Sequence, residues 1–90
     1  MSDNEQQSLI EYPCAFPIKV MGRAQETFVT VVREIALRHD PTFDESAMEV
    51  RNSREGNYLS VTLTIQARSR EHLDGVYQEL CDHPMVTMVL

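Results

Sequence analysis

The sequence predicts an α+β sandwich, in which two helices cover one face of a four-stranded antiparallel sheet. Residues Tyr58–Ala67 alternate between apolar and polar side chains, as in a strand with one face on a core. The stretches 23–39 and 69–83 repeat apolar residues every three or four positions, as in amphipathic helices. Shorter apolar segments before, between and after these stretches complete the order βαββαβ.

The chain begins its folded part with a predicted strand over Ala15–Met21, where apolar and polar residues alternate. Gly22 is predicted to close this strand and open a turn, because glycine tolerates the backbone angles of tight turns. The first helix follows over Arg23–His39 and ends before Pro41, since proline disfavours a helical residue immediately before it. The apolar stripe of this helix consists of Ala24, Phe28, Val31, Val32, Ile35 and Ala36.

The middle of the chain is predicted to form a β-hairpin. An acidic loop at Phe43–Ser46 leads into a strand over Ala47–Ser53, and Gly56-Asn57 provides the turn into Tyr58–Ala67. We expect Ala47–Ser53 to be an edge strand, whose free backbone groups can bind a partner.

The last third of the chain predicts a helix and a strand. Ser69 is suited to cap the helix, Glu71 suits the positive end of its dipole, and Pro84 ends the segment. A short apolar strand follows over Met85–Leu90. The apolar stripe of this helix consists of Leu73, Val76, Tyr77, Leu80 and Cys81. We therefore expect Cys81 to be a small buried hydrophobe, and the complete order is that of the ferredoxin-like fold.

Length, charge and composition indicate one small domain. The polar residues 1–8 are predicted to be a disordered tail before a domain at 9–90. The formal charge of −6 argues against binding to nucleic acid or to an anionic membrane. No apolar run approaches the ~20 residues of a membrane span, and the N-terminus lacks the regions of a signal peptide. Two cysteines do not make a secreted disulfide framework, so we expect a cytoplasmic protein.

The residue types that bind metals are scattered along the chain. Cys14 and Cys81 are 67 positions apart. Metal carriers of this fold place two cysteines close together near the first strand–helix connection, and residues 20–24 contain none. The three histidines occur singly, at His39, His72 and His83. We therefore predict no metal site and no cofactor.

RNA binding and acyl-phosphate hydrolysis are two further uses of this fold. RNA-binding members stack bases on outward aromatic residues of the central strands, and the sequence predicts no aromatic residue among these outward positions. Hydrolysis needs a glycine-rich anion loop with an arginine and an asparagine, but Gly22 is the single glycine beside Arg23. We interpret Arg23 as a solvated helix residue and Asn57 as a turn residue, and predict no enzyme activity. The outward positions considered are Lys19, Ser60, Thr62 and Thr64.

Several segments together resemble the YbeD family of small bacterial proteins. They are Leu9-Ile10-Glu11-Tyr12-Pro13, Phe16-Pro17-Ile18-Lys19-Val20-Met21-Gly22, Ser53-Arg54-Glu55-Gly56-Asn57-Tyr58-Leu59-Ser60-Val61 and Val86-Thr87-Met88-Val89-Leu90. The resemblance implies a cytosolic ferredoxin-like domain, close in shape to the ACT regulatory domains of amino-acid-metabolising enzymes. The YbeD family has no assigned activity, so no catalytic residue is carried over. The ACT analogy places a ligand at the loop around Gly22, commonly at an interface between domains.

Two functional hypotheses follow. The first is a non-catalytic regulatory or adaptor domain that binds a protein, in one version gated by a small molecule. Its partner would bind the edge strand and a nearby charged surface, and a basic partner patch would complement the acidic residues. The second is a homodimeric ACT-like sensor that binds an amino acid or a similar small anion near Gly22 and Arg23. The partner-binding residues considered are Asp44, Glu45, Glu49 and Arg51, with Asp74, Glu79 and Asp82 on a second acidic face.

Overall fold

The computed structural model describes residues 11–90 and shows the predicted α+β sandwich. The predicted tail at residues 1–8 lies outside the described residues. No helix within 11–90 is both long enough and apolar enough to cross a membrane. The elements are β1 Cys14–Arg23, α1 Glu26–His39, a 3₁₀ turn Glu45–Ala47, β2 Glu49–Asn52, β3 Tyr58–Ala67, α2 Arg70–Asp82 and β4 Val86–Val89.

The sheet is antiparallel and has the strand order β2-β3-β1-β4, so the ferredoxin-like fold is confirmed. β1 and β3 pair over their whole length, from Cys14 opposite Ala67 to Arg23 opposite Tyr58. β2 covers only part of β3, since Glu49 lies opposite Thr62 at the last pair. β2 therefore lies at one edge, as predicted, and β4 lies at the other.

The core lies between the two helices and one face of the sheet. The alternation in β1 and β3 directs every second side chain to this face, and both helices turn their apolar stripes towards it. Burying one large apolar side chain contributes roughly 1.5–3 kcal/mol. The largest fully buried side chains are Phe28, Ile18, Ile35, Leu63, Ile65, Leu80, Val20, Val32, Val61 and Val76.

Two local predictions are confirmed in detail. β3 spans Tyr58–Ala67 as its alternation indicates, and Gly56 has the positive φ of 77° that its hairpin turn requires. Ser69 caps α2, because its hydroxyl oxygen accepts a hydrogen bond of 3.0 Å from the backbone N–H of His72.

Several predicted element boundaries were wrong, because pairing with distant segments decides them. Arg23 remains in β1 opposite Tyr58, and the N–H of Ala24 donates to the carbonyl of Asn57 at 2.9 Å. α1 therefore begins at Glu26, three residues later than predicted. β2 and β4 are shorter than predicted, and the predicted loop after Phe43 contains the start of the 3₁₀ turn.

The predicted role of Gly22 as a turn residue was wrong. Gly22 lies inside β1, is buried, and sits at a register shift between β1 and β4. A Cβ atom at this position would lie within 3.0 Å of the Met85 carbonyl oxygen and of the Phe28 ring. Glycine is therefore needed for close packing, and its φ is not positive.

The predicted burial of Cys81 was also wrong. Leu73, Val76 and Leu80 of the same stripe are buried, but Cys81 is exposed at its border. Cys14 is half-buried against the core, and both thiols are free.

Replacing Gly22 with alanine should destabilise the fold by about 1–3 kcal/mol, because a backbone carbonyl and a fully buried ring would have to move. Gly75→Ala is the matched control, since its Cβ would meet only His39 atoms at 3.6 Å or more. The control variant should be as stable as the wild type or up to ~1 kcal/mol more stable, because alanine favours a helix more than glycine does. Urea unfolding of both variants measures the difference, and equal stabilities would contradict the packing role of Gly22.

Candidate functional site

One face of the sheet has no helix over it among residues 11–90, and this face is the candidate site. Residues opposite one another on antiparallel strands share a face, so the registers identify which side chains point away from the helices. We call this surface the open face. It consists of Ala15, Pro17, Lys19, Met21, Arg23, Glu49, Arg51, Tyr58, Ser60, Thr62, Thr64, Gln66, Met88 and Leu90.

Large apolar side chains lie on the open face beside β4. Met88 is opposite Met21 and is 50% exposed. Leu90, which is 61% exposed, exchanges two backbone hydrogen bonds with Lys19. These side chains are neighbours, so they form one apolar area along the β1 and β4 side of the face.

Tyr58 also points outward on the open face, where the sequence analysis had found no aromatic residue. It lies opposite Arg23 and is 44% exposed. The expectation of no outward aromatic was therefore wrong. The signal was present, since Tyr58 has the same parity as Ser60 in the alternating strand.

The open face carries three basic side chains and one acidic one. Lys19, Arg23 and Arg51 are exposed, and Glu49 is the acidic residue, so the formal charge of the face is +2. Among the ion pairs within residues 11–90, none includes any of the three basic residues. The Arg23 guanidinium lies 6.0 Å from the centre of the Tyr58 ring, the distance of a cation–π contact.

The residues considered for anion binding come together only in part. Arg23 and Asn57 lie at the same end of the sheet, because the hairpin turn enters β3 beside Arg23. The Arg23 guanidinium contacts Tyr58, and the Asn57 carbonyl accepts from Ala24. Beside Gly22, the space that a ligand would need on the core side is filled by Phe28 and Met85.

The acidic residues considered for partner binding lie in different places. Asp44 and Glu45 are in the connection between α1 and β2, where Glu45 pairs with Arg33 at 3.3 Å. Glu49 and Arg51 are on the open face. On α2, Asp74 and Asp82 are exposed, whereas Glu79 bonds to Arg38 and to His39.

Asp40 is a buried carboxylate that the sequence analysis missed. It is 4% exposed and accepts hydrogen bonds from the backbone N–H groups of Thr42 at 3.0 Å and Gln66 at 2.9 Å. Because β2 pairs with β3 only as far as Thr62, the carboxylate replaces the missing strand at Gln66. Burial raises the pKa of Asp40, but these bonds and the Thr42 hydroxyl outweigh it and hold that pKa below its usual range.

A shallow groove of about 200 Å³ lies at this part of the β3 edge. Its two carboxylates, Asp40 and Asp44, are already hydrogen-bonded within the protein, and Asp44 accepts from the N–H and hydroxyl of Ser46. Thr64 and Gln66 belong to both surfaces, so the groove continues the open face at its border and adds two negative charges there. It is lined by Asp40, Thr42, Phe43, Asp44, Ala47, Thr64 and Gln66.

Two histidines that are far apart in sequence meet at the junction of α1 and α2. The ring centres of His39 and His72 are 6.3 Å apart. His39 Nε2 lies 2.7 Å from a Glu79 carboxylate oxygen, and His72 Nε2 lies 2.6 Å from the His39 carbonyl oxygen. His72 Nδ1 accepts from the N–H of Arg68. No metal-binding group of three or more ligands occurs in the described part of the chain, and these contacts tie the helices together.

Asp40→Asn should destabilise the protein by about 1–3 kcal/mol, because its amide would place a donor against the N–H of either Thr42 or Gln66. Asp44→Asn is the control, since Asp44 makes the same local turn through Ser46 but is exposed. The Asp44→Asn variant should lose clearly less stability than Asp40→Asn does. Urea denaturation gives both values, and equal losses would show that the bond to Gln66 stabilises nothing.

Stability should fall in weak acid through His39. Burial, followed by the positive neighbours His72, Arg38 and Arg68, lowers the pKa of His39 below its ordinary 6.5. The unfolded state therefore binds more protons just below that pH, so the stabilisation is complete above 6.5 and is lost as the pH falls from 6.5 through the lowered pKa of the folded state.

The measurement is urea unfolding at about pH 7.5 and about pH 5.5. His39→Asn should lose less stability between the two conditions than the wild type does. His83→Asn removes a histidine outside this junction and should keep the wild-type difference. The same pH dependence in all three proteins would exclude His39 as its source.

Comparison with known proteins identifies a family match, relatives of similar sequence and a solved structure of the same fold. A family model described as "Protein of unknown function (DUF493)" matches residues 7–90. A UPF0250 protein of Nitrosomonas europaea is 58% identical over 94% of this chain and 98% of its own length. A UPF0250 protein of Leptothrix cholodnii is 55% identical over 94% of this chain and 93% of its own length. The solution structure of an H. pylori protein shares the fold, with a TM-score of 0.78 at 16% identity, covering 100% of this chain and 94% of that one.

Proposed function

Since the chain belongs to the DUF493 family of proteins of unknown function, we propose its function from the structure: it is a non-catalytic module that binds another protein. The family assignment confirms the resemblance to YbeD proteins and carries no activity with it. The binding surface in this proposal is the open face, together with the outer edge of β2. Such a module has a regulatory or adaptor role, because its effect is exerted through the partner.

The observation that carries the proposal is the apolar area on the open face. Met88 and Leu90 are 50% and 61% exposed beside Met21, and Tyr58, which is 44% exposed, lies apart from them on the same side of the sheet. Isolated apolar side chains are ordinary on protein surfaces, but adjacent ones rimmed by polar residues are typical of interaction sites. Here the rim consists of the hydroxyl residues of β3 and the basic residues of β1 and β2.

The outer edge of β2 supports the same mode of action. All four of its residues are exposed, and no other strand in residues 11–90 pairs with its outer side. An edge of this kind can accept an extended segment of a partner through backbone hydrogen bonds. The edge adjoins the open face, so one partner can occupy both.

The proposal contains neither a catalytic step nor a ligand at Gly22. Arg23 is exposed on the open face beside the Tyr58 ring and does not line an enclosed pocket. The Phe28 ring and the Met85 carbonyl fill the space beside Gly22. Both arrangements favour a protein-binding surface rather than a pocket for a small anion.

Site-specific photo-crosslinking in bacterial cells tests this proposal. A photoreactive amino acid at Thr62, in the middle of the open face, should form a discrete covalent product with another protein. The same group at Gln78, which is exposed on α2, should not form that product. Identical products from both positions, or no product from Thr62, would contradict protein binding at the open face.

Purified components then provide a matched control. Met88→Glu should weaken calorimetric binding of the cross-linked protein, because it places a carboxylate in the apolar area. Leu37→Glu makes the same change at a side chain that is 40% exposed on α1 and should leave binding unchanged. Equal effects of the two substitutions would mean that the contact lies elsewhere.

A further inference from the structure

Charge is divided unequally between the two sides of this protein. The helical side, residues 26–47 and 69–83, contains nine acidic and three basic residues, a formal charge of −6. The open face has a charge of +2. The open face is therefore positive although the whole chain is negative. A partner that binds the open face meets a basic surface.

The three basic residues surround the middle of the open face. Arg51, Ser60, Met21 and Met88 form one row across the four strands. Lys19 and Arg23 are on either side of that row on β1, about 13 Å apart at the rise of an extended strand. The cations therefore lie beside the apolar area that Met21 and Met88 form, so one ligand can contact both.

None of these three cations forms an ion pair within residues 11–90, and one carboxylate, that of Glu49, shares the open face with them. Within residues 11–90, the arginines in ion pairs are Arg33 and Arg38, both on α1, and the His39 ring of the same helix lies against Glu79. The acidic helical side is separated from the open face by the sheet and the core. Exposed charges of the helical side that lie more than about 8 Å, the Debye length at physiological salt, from the open face are largely screened by the solvent. A short ligand on the open face is therefore governed mainly by the local positive charge.

We propose that the partner segment bound by the open face is acidic, with apolar side chains beside its carboxylates. This inference rests on the proposed protein-binding function and gives the chemistry of the partner. The carboxylates pair with Lys19, Arg23 and Arg51, and the apolar side chains cover Met21 and Met88. Charge complementarity then sets the orientation and the rate of association, and an acidic segment replaces the basic partner patch expected from the acidic residues of the sequence.

A nucleic acid fits this surface less well than an acidic protein segment does. Sequence-tolerant strand binding uses several stacked bases, and the open face has one aromatic residue, Tyr58. A long polyanion also extends past the sheet towards the helical side, where the charge of −6 repels it. A short segment that ends within the open face avoids that repulsion.

Two charge-reversal variants separate the local charge of the open face from the net charge. The open-face variant is Lys19→Glu/Arg23→Glu/Arg51→Glu. The control variant is Arg54→Glu/Arg68→Glu/Arg70→Glu, whose residues are exposed and lie off the open face. Each variant reverses three positive charges, so both change the formal charge from −6 to −12. Circular dichroism and thermal melting establish that each variant is folded.

The probes are two fluorescent synthetic peptides that share the same leucines and differ in having glutamate or lysine at the other positions. In anisotropy titrations the glutamate peptide should bind the wild type more tightly than the lysine peptide does. The open-face variant should bind the glutamate peptide roughly tenfold more weakly. The control variant should stay close to the wild type, and added salt should weaken binding.

Other results would overturn the acidic-partner proposal. They are tighter binding of the lysine peptide, absence of binding by either peptide, or equal weakening in both variants. Equally tight binding of a single-stranded oligothymidylate would mean that the face attracts any polyanion. Failure of protein binding itself is seen separately, as the absence of an open-face product in the photo-crosslinking experiment. If Thr62 does cross-link to a partner but the protein shows no preference for the glutamate peptide, protein binding at the open face stands and only the acidic nature of the partner segment is refuted.

Discussion

The ladder between β1 and β3 is the constraint on which the rest of the structure depends. Its ten residue pairs join the start of the chain to its middle, with Cys14 opposite Ala67 and Arg23 opposite Tyr58. A slip of one residue would exchange the core face for the outer face along both strands. This register therefore decides at once where the helices pack and which side chains form the open face. The edge strands β2 and β4 each pair with one of these two central strands.

The sequence was informative where a pattern is local. The alternation of Tyr58–Ala67 and the cap at Ser69 each depend on a few consecutive residues, and both were predicted correctly. The end of β1 depends on pairing with Tyr58, 35 positions away. Gly22 shows the ambiguity most clearly, because a turn and a close approach both require glycine. The Phe28 ring decides between them, and its position is known only from the fold.

The sequence could predict that individual residues of the candidate site point outward, but not that they lie together on one face. Tyr58 could have been found by extending the alternation one step, but the grouping of Lys19, Arg23 and Arg51 needs the strand order. Asp40 bonds to Gln66, 26 positions later, and no local pattern indicates that contact. The net charge was misleading for the same reason. It averages a basic surface with an acidic one, and only the fold separates them.

A sheet face that no helix of residues 11–90 covers must remain hydrated and still bind a partner. Ser60, Thr62 and Thr64 meet the first condition, because their hydroxyl groups keep the middle of the open face hydrated. Met21 and Met88 meet the second, since methionine adapts its shape to different apolar neighbours. The basic residues, Arg51 on β2 beside the hydroxyl area and Lys19 and Arg23 on either side of Met21, then favour one orientation of an acidic segment over its reverse. Specificity on such a surface arises from the order of basic, hydroxyl and apolar groups across the four strands, an order that the register of β1 and β3 maintains.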